Sequence, residues 1–228
     1  MSGTALVLGG GGVTGVAWSL GLLAGLRDAD VDLTDADLVV GTSAGSVVGA
    51  QITTGASLAE LYTAELAEPV AEPVAEAPAR IGARVLFRYA VAAAGTRDPQ
   101  RFRARLGAMA LAARTPSEEQ RRQVIAARLP ARDWPRRRLR VTAVDAHDGR
   151  FEVFDAGSGV QLLDAVGASC AVPGVWPPVS IGGRRYLDGG MRSPANADLA
   201  AGYPRVVVVA PMVRGVGPIV AVAAQAEQ

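Results

Sequence analysis

Twice before Gly55, a short apolar run stops at glycine and hands over to a helical pattern. Residues 4–8 (TALVL) end at Gly9-Gly10-Gly11-Gly12, and residues 13–27 follow with Val16, Leu20, Leu23 and Leu26 near helical spacing. Residues 38–40 (LVV) end at Gly41, and residues 46–53 form the second helical stretch. An apolar run without polar alternation is buried on both faces, which suits a parallel strand. Strand, glycine turn and helix, repeated, is the pattern of a parallel sheet covered by helices. The expected fold is therefore α/β, with a mostly parallel central sheet flanked by helices in three layers.

The middle of the chain interrupts this pattern. Residues 57–67 read as a helix, with Ser57 at the N-cap and Glu60 completing a capping box. Residues 67–79 (AEPVAEPVAEAPA) are proline-punctuated and of low complexity, the composition of a loop or linker. Residues 81–94, 99–113 and 116–129 read as helices with arginine-rich outer faces, the last with Thr115 as N-cap and Pro116 at its first position. Residues 56–135 are expected to be a helical cap or insertion within one domain spanning residues 1–228. Strands return at 138–144 and 151–154 around an Asp148-Gly149 turn. A short helix at 162–168, a proline-rich loop at 172–179, a strand at 184–187 and a strongly buried strand at 205–210 complete the set.

Composition bounds the chemistry. At 228 residues, 50% hydrophobic and 20% charged, the chain is not a disordered one and buries a core without staples. A net charge of +1 argues against a partner bound through bulk charge, so no nucleic acid is expected. The lone cysteine, Cys170, forms no internal disulfide, which fits a reducing compartment. The lone histidine, His147, excludes multi-histidine metal sites, and no metal is expected. The start, MSGTALVLGGGG, lacks the basic and apolar regions of a signal peptide. No stretch offers the ~18–20 uninterrupted apolar residues of a spanning helix. The expectation is a cytoplasmic protein, compatible with peripheral contact at a membrane surface.

Three glycine turns are candidates for function. The first is GGGGVTG, residues 9–15. Consecutive glycines let backbone N–H groups converge beside a helix N-terminus, a nest for a phosphate or an oxyanion. Gly10-x-Gly12-x-x-Gly15 also fits a dinucleotide fingerprint, but the second strand ends in Gly41 where that fingerprint wants an acid. The second is Gly41-Thr42-Ser43-Ala44-Gly45 between a strand and a helix, the context of a nucleophile elbow that pushes a serine Oγ outward. The third is Asp188-Gly189-Gly190 at a strand end, which taken alone is a turn.

Ser43 needs a base. The order serine, acid, histidine of an α/β-hydrolase would require His147, which sits in a polar turn, with Asp98 or Asp133 from the helical middle. A carboxylate is the better candidate, Asp188 first and Asp145 second, both at ends of strands where α/β sites gather. An ordinary aspartate, with a pKa of ~3.9, is a weak base at neutral pH. Desolvation by the apolar 172–179 loop would raise it.

The ordered set LGGGGVTGVAW, GTSAGS, ASCAVPGVWPPV and YLDGGMRSPANAD resembles the patatin-like phospholipases, from Gly9 to about Pro211. The resemblance implies a lipid acyl hydrolase with Ser43 as nucleophile and Asp188 as its base. It implies an oxyanion hole from the amides of Gly10, Gly11, Gly12 and Ala44, and Gly15, Gly41, Gly45, Gly189 and Gly190 as motif glycines. No metal or organic cofactor is implied, and the substrate is a lipid or other ester. The chain departs from the family pattern at Thr14, where many members carry Arg or Lys. It also stops at Gln228, short of a further helix and strand that members usually have. The alternative function is a non-catalytic lipid- or nucleotide-binding module on the same fold. The oligomeric state is left open.

Overall fold

The computed structural model describes residues 3–67, 82–215 and 217–226. Most of the low-complexity stretch 67–79 lies outside the described residues. Four strands run parallel in the order β7 (Arg205–Val209), β1 (Thr4–Leu8), β2 (Leu38–Gly41), β3 (Arg138–Asp145). Three more are antiparallel: β4 (Phe151–Phe154) pairs with β3, β6 (Arg184–Asp188) also pairs with β3, and β5 (Val179–Ile181) pairs with β6. The result is a mixed sheet whose strands are mostly parallel, flanked by helices.

The apolar runs explain the layers. Leu6 and Leu8 of β1 face one side and Ala5 and Val7 the other, and all four are buried. The first side packs, with Val39, Val141 and Ala143, against α1 (Gly12–Asp28), α2 (Ala44–Thr53) and α7 (Leu162–Ser169). Ile125 of α6 (Glu118–Arg128) joins this same core. The second side packs, with Leu38 and Val40, against Ala195, Ala197 and Ala200 and against Val222 of α8 (Val222–Ala226). Of the remaining helices, α3 (Leu58–Leu66) places Leu58 in the first core. Helices α4 (Ala83–Ala93) and α5 (Pro99–Leu111) share a smaller core of Tyr89, Ala92, Phe102, Leu106 and Met109.

Several expectations are corrected. The strand at 205–209 is not strongly buried: it is an edge strand, with Arg205 and Val206 exposed. The loop expected through residue 179 gives way to β5, which turns into β6 through Gly182 and Gly183, both at positive φ (56° and 77°). A Gly-Gly pair between short strands is a hairpin signal of its own. The N-cap of α6 is Ser117, not Thr115. Its hydroxyl accepts from the N–H of Gln120, whose side chain returns the bond, a full capping box. Helix α2 starts at Ala44, two residues before the sequence pattern places it, because Ser43 itself occupies the N-cap position.

Helix α5 lies hard against the end of β3. A Cβ on Gly107 would sit 1.8 Å from the carbonyl oxygen of Ala146. Gly107→Ala should therefore cost about 2–4 kcal/mol, since backbone must move to admit it. Gly25, inside α1 with open space around it, supplies the contrast. Gly25→Ala should be neutral or stabilise by up to ~1 kcal/mol. Urea denaturation of the two variants checks both outcomes.

Candidate active site

The glycine loop follows β1 and the serine turn follows β2. These strands are parallel neighbours, with Leu8 opposite Gly41, so both turns emerge at the same edge. The helices that follow stay close: a Cβ on Gly15 would lie 3.3 Å from that of Ala44, and one on Gly10 would lie 3.4 Å from that of Ser43. Two helix N-termini thus flank Ser43, and each carries a partial positive charge.

Ser43 has φ 52° and ψ −119°, a region that a side chain enters only at a cost of about 1–3 kcal/mol. Its neighbours hold it there. Its N–H donates to Ser169 Oγ at 2.9 Å, and its carbonyl accepts from the Ser46 N–H at 2.8 Å and the Ser46 hydroxyl at 2.7 Å. The turn is tight because Gly41 and Gly45 lack a Cβ. At Gly45 a Cβ would lie 2.0 Å from the Leu8 oxygen, and at Gly41 it would lie 2.6 Å from Ser46 Cα. Ser43 is almost wholly buried, 8% exposed.

Asp188 reaches the same point from the opposite direction along the sheet. Val141 lies between Gly41 and Phe154, and Ala143 between Asp188 and Glu152. Hence β2 and β6 occupy the same edge of β3, one after the other, and meet with their C-terminal ends. Ser43 and Asp188 leave those two ends. The Ser43 hydroxyl lies close enough to Asp188 to favour the ionised form of its carboxyl. Asp188 is 2% exposed and also accepts from the Gly190 N–H at 2.7 Å. Burial pushes its carboxyl up to about 6, against the opposing pull of the Ser43 hydroxyl, the Gly190 amide and the Arg121 charge. Tyr89 of α4 lies near enough that burial and the Asp188 charge both push its phenol up, and it donates to the Pro173 oxygen at 3.1 Å.

The other sequence candidates separate. Asp145 is buried but committed: it pairs with Arg184 and accepts from the His147 N–H at 2.8 Å. His147 is exposed in the turn at 146–148. Gly10 does not offer a free amide, as its N–H donates to the Pro194 oxygen at 2.8 Å. The sequence expectation counted it among the oxyanion donors, and the Pro194 bond corrects this. Gly11 and Gly12 form the N-cap and first position of α1, and Ala44 the first position of α2. Among the described residues, none supplies an acceptor for their N–H groups. Gly189 and Gly190 fit closely: a Cβ would lie 2.2 Å from Thr142 Oγ1 at the first and 2.9 Å from Asp188 Oδ1 at the second. Among the described residues no group of three or more His, Cys, Asp or Glu is placed to hold a metal ion.

Sequence reasoning missed the polar seam behind the pair. Thr42 and Thr142 hydroxyls lie 2.9 Å apart. Asn196, left-handed at φ 55°, donates to Thr42 Oγ1 at 3.0 Å, Gly189 O at 3.3 Å and Ser193 O at 3.0 Å. Arg121, buried on α6, stacks 4.0 Å over the Trp176 ring. The one available signal was Asn196 itself, a polar residue in the small-residue run SPANA.

The patatin-like phospholipase family model matches residues 6–201 of the chain. No curated protein matches it. Among solved structures, VipD from Legionella pneumophila is similar at 14% identity and a TM-score of 0.46, over 83% of this chain and 46% of that one. The type III effector protein ExoU is similar at 20% identity and a TM-score of 0.37, over 76% of this chain and 41% of that one. The chain thus spans less than half the length of either. Among the described residues no helix is long and apolar enough to cross a membrane.

Burial of Asp188 has a consequence for stability. Its folded pKa, about 6, lies above the unfolded value of 3.8, so the folded state binds the proton more tightly between those values. Stability therefore falls as pH rises through that window and stays lowered above it, by about 2–3 kcal/mol. Asp188→Asn removes the charge, so its Tm should exceed that of the wild type at pH near 8 and converge with it near pH 4. Thermal melts across pH check this.

Proposed function

Because the chain belongs to the patatin-like phospholipase family, we propose that it is a serine-dependent lipid acyl hydrolase acting through a Ser43–Asp188 dyad. The observation that carries this is a strained serine hydroxyl beside a buried carboxylate, placed between two helix N-termini. Asp188 takes the Ser43 proton as Oγ attacks the ester carbonyl. A carboxyl pushed up to about 6 suits that task far better than an exposed one. The oxyanion that forms is held by the amides of Gly11, Gly12 and Ala44 and by the two helix dipoles. Collapse expels the alcohol, which leaves with the proton from Asp188, and the acyl group stays on Ser43. Water then attacks the acyl-enzyme, with Asp188 again taking the proton; collapse breaks the bond to Ser43 Oγ, which regains that proton from Asp188 as the carboxylic acid departs.

A triad through His147 is disfavoured by its exposed turn and by the engagement of Asp145 with Arg184. The helices between α2 and β3 are the proposed cap: Tyr89 of α4 and Arg121 of α6 interact electrostatically with Asp188 and would shape the acyl or headgroup pocket.

A fluorophosphonate should label Ser43 and leave Ser43→Ala unlabelled. Unlabelled wild-type protein would instead favour a non-catalytic binding module. Asp188→Asn should lower kcat on a p-nitrophenyl ester by roughly 10²–10⁴-fold, while His147→Ala stays near wild type. The reverse pattern would remove Asp188 from the mechanism. Because the base works deprotonated, activity should fall as pH drops through about 6.

Gly12, at φ 63°, has room for a side chain but not the conformation. Gly11 lacks the room, with Gly15 Cα 2.8 Å from a built Cβ. Gly11→Val and Gly12→Val should each lower kcat by roughly 10²–10³-fold with less change in KM, the signature of a lost oxyanion donor. Steady-state kinetics on the same ester reads the split.

A further inference from the structure

We propose that the outer face of α4 is a docking surface for an anionic lipid bilayer. The proposal rests on the hydrolase reading for its biological sense, but its evidence is separate. Helix α4 buries Tyr89 and Ala92, with Val85 packed beside them, against α5. Its opposite side leaves Leu86, Phe87 and Val91 at 50%, 68% and 55% exposed. A helix apolar on both sides has a second partner to satisfy.

Charge indicates which partner. Residues 82–97 contain Arg84, Arg88 and Arg97 and no acidic residue. Among the described residues, neither Arg84 nor Arg88 forms a salt bridge. Exposed Phe, Leu and Val interleaved with arginine is the composition of an interfacial helix, whose apolar side chains enter the acyl boundary while its cations meet anionic headgroups.

Position agrees. The inner face of α4 touches the 172–176 loop through Tyr89, whose phenol lies near Asp188. After β7, Pro211 lies beside Gly11 and Gly217 lies beside Ala93 of α4. Next to Pro211, Met212 and Val213 are also exposed. A membrane on this side would meet the rim of the Ser43 site.

The competing basic surface lies at the opposite end of the sheet. Arg136, Arg137, Arg138 and Arg140 line a depression there of about 250 Å³. Arg138 stands at the N-terminal end of the strands, opposite Leu38, so a membrane bound there would face away from Ser43. Three of the four are already engaged, with Asp35, the Tyr203 hydroxyl and the Leu199 oxygen.

The test uses the full chain carrying Ser43→Ala, which binds lipid without turning it over. It is sedimented with vesicles of phosphatidylcholine alone and of equal parts phosphatidylcholine and phosphatidylglycerol. The parent should prefer the anionic vesicles. Phe87→Asp with Val91→Asp should weaken binding to them at least about tenfold. Arg84→Gln and Arg88→Gln should each weaken it about fivefold, and leave binding to phosphatidylcholine unchanged. Equal binding by all variants would overturn the proposal. So would loss of binding in Arg136→Gln with Arg138→Gln, or a dimer in light scattering that Phe87→Asp dissolves. A Tm matching the parent certifies each variant, and if the double variant melts early, Phe87→Gln alone carries the comparison. Fluorophosphonate labelling of the wild type separates the two proposals. A chain that binds vesicles but resists the label keeps this surface and loses the hydrolase reading, and a labelled chain that ignores vesicles does the reverse.

Discussion

The site depends on two strands sharing one edge of β3. Strand β2 pairs with its first half and leaves the sheet at Gly41, and β6 then takes the vacated edge from the opposite direction. The ends of β2 and β6 meet around Thr142, which pairs with neither. Its hydroxyl bonds that of Thr42, and Gly189 passes it so closely that no Cβ fits. Serine and aspartate, 145 positions apart in sequence, are brought together by strand pairing and not by loop flexibility. Backbone hydrogen bonds on a buried sheet hold such a geometry more tightly than a surface loop does.

A buried seam keeps the junction in register. Asn196 ties the Thr42 turn, the Gly189 turn and Ser193 together from a left-handed conformation that asparagine tolerates better than most residues. Each bond contributes only about 1 kcal/mol, but an orphaned partner in this buried place costs about 1–3 kcal/mol. The network therefore penalises any slip that would part Ser43 from Asp188. The same burial that makes the junction precise raises the carboxyl of Asp188, so the geometry and the basicity of the pair have one cause.

Much of this was legible in the sequence. Glycine directly after an apolar run located both turns, because a tight strand-to-helix passage excludes a Cβ, as Gly41 and Gly45 show. The parallel core was legible because β1 and β2 are apolar on both faces. The ranking of Asp188 over Asp145 came from the resemblance and not from strand position, since both end strands. What separates them in the structure is position: Asp188 ends β6 next to the end of β2, while Asp145 ends β3 farther on and pairs with Arg184 of the β5–β6 hairpin. Nor could sequence tell that the Gly10 amide is taken by Pro194, a contact between distant segments. Strand β7 looked buried because RVVVV is apolar, and composition does not say whether a strand lies at an edge. Asn196 and Ser169 act through tertiary hydrogen bonds and leave no periodic trace.

Under the proposed mechanism, the helix ends offer negative charge a partner where the family resemblance leads one to expect Arg or Lys and this chain has Thr14. Away from the site, α4 and α7 start after Gly82 and Gln161 without a side-chain cap, whereas three helix N-termini are closed by their own side chains: Ser57 caps α3, Asp98 caps α5 and Ser117 caps α6. The two helices at the site are not. Gly11 and Ser43 stand at the N-cap positions of α1 and α2 without a side-chain cap, although an uncapped helix typically forgoes about 1 kcal/mol. Glycine has no side chain to cap with, and the strained backbone of Ser43 accompanies a hydroxyl that lies against Asp188 instead of its own helix. The amides left open by these two choices belong to the two helix N-termini that flank the serine. Under the proposed mechanism they acquire an acceptor only when an oxyanion forms, so the stabilisation missing from the resting helices becomes available at the transition state.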